Sequence, residues 1–135
     1  MSISIDQATA MMDEIFAPWI RQLAMTPVAV SDTEAVLRLP ASEALRHVGG
    51  VICGQVFMSA ADTAMVIAIS SALGGFRPMT TVSLNTSFMR PVAEGELTVT
   101  ARVLRLGRSL VFGEIDIAGS DGRTAARATT TYALL

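Results

Sequence analysis

One carboxylate stands out of an apolar stretch: Asp62 lies in Phe57-Met58-Ser59-Ala60-Ala61-Asp62-Thr63-Ala64-Met65, where every other position suits a protein core. A carboxylate removed from water must be compensated. Burial disfavours its charged form and neighbouring donors favour it, and the balance between them can tune the group for general-base or nucleophilic work. The same carboxylate could instead be a structural lock, satisfied by threonine or backbone donors at a subunit interface, and residue chemistry alone leaves both roles open. Gly54 stands eight positions earlier, at the expected start of a helix. There the first N–H groups lack intrahelical partners, the macrodipole is positive, and a missing side chain lets an acyl carbonyl approach the backbone. Taken alone, Gly54 reads first as an ordinary helix-entry glycine. Together with Asp62, about two helical turns away and roughly along one side, it suggests a site for a developing oxyanion beside a reactive carboxylate.

Cys53 is the only cysteine and His47 the only histidine. No intrachain disulfide can form, and one chain cannot assemble the usual nitrogen and sulfur ligands of zinc, so no metal is expected. A thiol at a helix N-terminus near an imidazole could become a nucleophile. With no third orienting residue in view, Cys53 reads better as a small hydrophobe beside the helix entry. Guanidinium groups suit phosphate, but each of Arg90, Arg102, Arg105, Arg108 and Arg123 reads first as a solvated surface charge.

These residues need elements to position them. From Ile5 to Leu23, Ala8, Met11, Met12, Ile15, Phe16, Trp19 and Ile20 recur at helical spacing, which predicts an amphipathic helix with that stripe inward. Pro18 should kink it or end its regular part early. Val28 to Ser31 and Glu34 to Leu39 flank Ser-Asp-Thr and read as a hairpin. A loop over Ala41 to Gly50 follows, then a helix from about Gly54, apolar all round, that Gly74-Gly75 should close. Four strand-like blocks come next, Thr80 to Arg90, Glu96 to Leu106, Ser109 to Ala118 and Arg123 to Leu134, separated by turn signals and expected to form an antiparallel meander. The order predicts an α+β fold in which a curved antiparallel sheet wraps the long helix, with an additional N-terminal helix.

The 135 residues suit a single domain, 1–135. At 51% hydrophobic and 16% charged, the chain carries more apolar surface than a small monomer can cover, which points to self-association. A net charge of -2 provides no basic field for nucleic acid. Val51 to Leu73 is long enough to cross a membrane. Its mid-segment carboxylate, its alanines, serines and threonines, and the lack of a flanking basic cluster favour a buried helix instead, so no membrane partner is expected. Without a signal-peptide pattern before Asp6, Asp13 and Glu14, the expected location is the cytoplasm.

Asp62 with Gly54 before it, followed by Thr81-Val82-Ser83-Leu84-Asn85-Thr86-Ser87-Phe88-Met89-Arg90-Pro91, resembles the PaaI-like hotdog-fold acyl-CoA thioesterases. Glu94-Gly95-Glu96-Leu97, Leu106-Gly107-Arg108-Ser109 and Asp121-Gly122-Arg123 continue the likeness in order, over about residues 47–134. The resemblance implies a hotdog fold and hydrolysis of a small-to-medium or aryl acyl-CoA, CoA being part of the substrate and no separate cofactor needed. It also implies sites at the interfaces of a homodimer or dimer of dimers (a homotetramer). Carried over by position, Asp62 becomes base or nucleophile, Gly54 the oxyanion donor, and Thr81 a hydroxyl that positions water or the carboxylate, with Thr63 a weaker candidate. Arg90, Arg108 and Ser109 lie where that family receives the nucleotide end of CoA. The helix entry departs from the pattern. The family has His-Gly-Gly with an asparagine six residues before the histidine, where this chain has Cys53-Gly54-Gln55 and His47. His47 could contact the thioester or water, and Gln55 could supply an amide donor.

Two other functions stay open at this level. Hotdog dehydratases or hydratases pair a histidine with a helix carboxylate about as far apart as His47 and Asp62. A non-catalytic acyl-CoA-binding module is the other, because fold does not fix function.

Overall fold

The computed structural model describes residues 2–135. Helix α1 (Ile5–Glu14) opens with a capping box, in which Ser4 Oγ accepts from Gln7 N–H at 3.1 Å and Ser4 N–H donates to the Gln7 side chain at 2.8 Å. It buries Ala8, Met11 and Met12. The expected single helix is in fact two, because Pro18 starts a new four-residue helix, α2 (Pro18–Arg21), at a position where its missing N–H costs nothing. Ile15, Phe16 and Ile20 still pack against the core on either side of the break, but Trp19, expected to face inward, is 59% exposed.

Strands β1 (Thr26–Val30) and β2 (Glu34–Leu39) form the expected hairpin, with Ser31 Oγ accepting from the N–H groups of Thr33 and Glu34 across the turn. The loop that follows contains a short turn of 3-10 helix, Glu43–Leu45. The long helix α3 (Gly54–Leu73) ends where predicted, at Gly74, whose φ of 80° is the left-handed conformation a helix C-terminus needs. Strands β3 (Met79–Phe88), β4 (Leu97–Leu106), β5 (Leu110–Ala118) and β6 (Thr124–Leu134) match the four predicted blocks to within two residues at each end.

Their pairing differs from the expected meander. The sheet order is β1-β2-β4-β5-β6-β3, antiparallel throughout. Only β4, β5 and β6 follow in chain order; β4 pairs with β2, and β3 crosses to the far edge beside β6. Residue types agree with that placement, since β3 is rich in Thr, Ser and Asn and largely exposed, whereas β5, and β4 as far as Ala101, bury every second residue.

α3 lies on the concave face of the sheet. Ile67, Ile69 and Met65 from the helix and Leu97, Val99, Ile115 and Ile117 from the strands are essentially fully buried there, each stabilising the fold by about 1.5–3 kcal/mol. At Gly113 the approach leaves no room for a side chain, because a Cβ would collide with Met65 and lie 2.9 Å from the Arg102 carbonyl oxygen. α3 is long and apolar enough to cross a membrane, and 67% of its most apolar window is covered by the rest of the fold, which accounts for its composition. The outer face is polar: Arg102 on β4 pairs with Glu34 on β2 and Asp116 on β5, which also pairs with Arg127 on β6. Partial burial alone would raise the Asp116 carboxyl, but hydrogen bonds from the two guanidinium groups and their charges outweigh it and hold it below its ordinary value.

Candidate functional site

Asp62 occupies the middle of α3 and is half-buried rather than sealed. Two strands that pair with each other present hydroxyls to it. Thr81 on β3 and Tyr132 on β6 are cross-strand partners, and the β-bulge just after Thr81 sits at Val82. Thr81 Oγ1 donates to Asp62 Oδ1 at 2.9 Å. The Tyr132 hydroxyl donates to the same Oδ1 and lies 2.9 Å from the Asp62 main-chain oxygen. Tyr132 is 1% exposed. Burial, then the charge of Asp62 and the hydrogen bond to it, push its phenol well above the ordinary tyrosine range, so it remains a donor at any working pH.

Asp62 forms part of the wall of a cavity of about 400 Å³. Phe16, Trp19 and Ile20 line it from around α2, Met58 and Val66 from α3, and Leu84 from β3. Such a volume lies within the range of small-molecule sites. Thr63, itself buried, and Thr81 also reach this cavity, so the structure unites Asp62, Thr81 and Thr63.

The remaining candidates lie elsewhere. Gly54 is the first residue of α3, after Cys53, whose side chain makes no capping hydrogen bond. It borders a separate cavity of about 300 Å³ with Phe57, Phe88 and Arg90, and a Cβ on Gly54 would meet the Phe88 ring at 3.4 Å. Eight residues of helix separate Gly54 from Asp62 by about 12 Å along the axis. A carbonyl carbon in reach of Asp62 is therefore out of reach of the Gly54 N–H of the same chain.

His47 sits in the loop before α3, exposed, with Nδ1 accepting from Gly49 N–H at 2.8 Å. Neither His47 nor the exposed Gln55 borders the Asp62 cavity. Arg108 and Ser109 lie in the β4–β5 turn, away from both cavities. Cys53 is half-buried, and among the described residues no hydrogen bond joins it to His47. Among the described residues no group of three or more His, Cys, Asp or Glu side chains is placed to hold a metal ion.

Sequence reasoning missed Tyr132, although one signal was available. It is the only tyrosine, at an inward position of the alternating strand β6, and a buried phenol hydroxyl needs a partner.

A six-stranded antiparallel sheet wrapped around one long helix is the hotdog fold. A profile of the thioesterase superfamily matches residues 49–126, and the chain belongs to that superfamily. A Thermoplasma volcanium protein, provisionally named an esterase, is 28% identical over 124 residues, 86% of each chain. The solved structure of a conserved protein from Pseudomonas aeruginosa is 32% identical, with a TM-score of 0.83, covering 91% of this chain and 98% of that one. The PaaI protein of the Escherichia coli phenylacetic acid degradation operon shares the fold at 21% identity, with a TM-score of 0.85 over 96% of this chain and 91% of its own.

Proposed function

We propose that the protein hydrolyses a small-to-medium or aryl acyl-CoA thioester, with Asp62 as general base or nucleophile. The observation that carries this reading is a single carboxylate, held by two hydroxyl donors, in the wall of an otherwise uncharged and largely apolar cavity. The acyl group rests against Phe16, Trp19 and Ile20 with its carbonyl at Asp62, and Asp62 either deprotonates a water or attacks the carbonyl carbon. The tetrahedral oxyanion is stabilised by a helix N-terminal N–H, that of Gly54. Because Gly54 and Asp62 of one chain are about 12 Å apart, the donor comes from a second copy. The working unit is then a homodimer or a dimer of dimers, in the cytoplasm. The ten-residue edge strand β3, with Val82 and Phe88 exposed, offers a surface for such pairing. Arg90, which borders the same cavity as Gly54, supplies a guanidinium for the phosphates of CoA.

Thiol release measured over a panel of acyl-CoA esters tests reaction and residue together. The wild type turns over at least one ester, and Asp62→Asn lowers kcat about 10²- to 10⁴-fold. Full turnover by Asp62→Asn would refute the mechanism.

A further inference from the structure

We infer that Tyr132 is a positioning residue: with Thr81 it ties down one oxygen of Asp62, Oδ1, so that the other, Oδ2, is the atom that acts on substrate. This rests on the thioesterase reading above and adds which atom reacts and what holds it. A free carboxylate has two equivalent oxygens and turns about its Cβ–Cγ bond. Here the equivalence is broken, because both donors converge on Oδ1, one from each of two paired strands. Among the described residues no hydrogen bond reaches Oδ2, and Oδ2 is not among the buried polar atoms left without a partner, so it opens on the cavity. Tyr132 also spans to the main-chain oxygen of Asp62, which ties the side-chain restraint to the helix backbone.

Two measurements test the inference. The first is the split between kcat and KM for the best ester of the panel. Tyr132→Phe should lower kcat about 10- to 100-fold with KM within about twofold, and Thr81→Ser, which keeps a hydroxyl, should retain most of the rate that Thr81→Ala loses. A Tyr132→Phe variant with wild-type kcat, or one whose loss lies wholly in KM, would overturn the inference. The second needs no activity and no folded Phe variant. Tyr132 is the only tyrosine in the chain, so 3-fluorotyrosine fed during expression labels this one site. Its fluorine resonance should differ between the otherwise unmodified protein and Asp62→Asn, because the ring hydroxyl loses its charged acceptor. An identical resonance in the two overturns the tether. An absence of wild-type turnover over the whole panel would refute the hydrolase itself, while an active wild type with a silent fluorine signal would refute only the role of Tyr132.

Discussion

At its midpoint α3 offers a side chain, and at its N-terminus it offers only backbone. Around Asp62 the chain supplies everything the carboxylate needs: two hydroxyls, a helix carbonyl within reach of one of them, and an apolar chamber. Around Gly54 it supplies less, an N-terminus without a capping side chain, the Phe88 ring and an exposed arginine. Thioester hydrolysis calls on both kinds of group at the same carbon, and about 12 Å of helix keeps them apart. On the proposed reading the chain folds two halves of a site, and a second copy brings unlike halves together.

Substitutions can break or sharpen that contrast, beginning with the largest effect. Asp62→Asn removes the complete half and should abolish nearly all thiol release, as above. Gly54→Pro removes the N–H of the bare half and adds a ring whose Cβ meets the Phe88 side chain at 3.4 Å. Proline is favoured at the first helical position, and Cys53 before it already has the extended ψ of 153° that a following proline requires. The expected loss in kcat is about 10²-fold, with the melting temperature held. Unfolding and refolding the two inactive variants together should restore about a quarter of wild-type activity, since half the dimers are hybrid and each hybrid has one intact site. No recovery would place both groups of a working site in one chain and contradict the shared-site reading. Trp19→Ala should raise KM about tenfold for bulky acyl groups with little change in kcat. Because Trp19 is the only tryptophan, its fluorescence in the intact protein should shift when an acyl-CoA binds. The smallest effect belongs to His47→Ala, expected to change kcat by less than about twofold, since the imidazole is exposed and already serves Gly49.

Much of this was legible in the chain itself. Asp62 announced itself as the one charge in an apolar helix, and Gly54 and Gly74 bracketed that helix because backbone constraints at its ends are local. The hairpin at Ser31 and the strand boundaries followed from turn residues and alternation. Strand order did not, because alternation says which face a residue takes but not which strand lies beside it. β3 therefore looked like the first strand of a meander when it is the far edge of the sheet. Tyr132 stayed hidden for the same reason, lying 70 residues from the carboxylate it serves. Trp19 fitted an inward stripe until Pro18 restarted the helix and turned it toward the cavity.

The segment around α2 lies outside the stretch, residues 49–126, that this chain shares with the superfamily profile, yet it lines the chamber in front of Asp62. Part of the chamber wall can thus vary without touching Asp62 or Thr81, although Tyr132 also lies outside the shared stretch. On the proposed thioesterase reading, substitutions at Phe16, Trp19 or Ile20 should change which acyl groups are admitted, and a swap of residues 15–25 between relatives would transplant that wall as a unit.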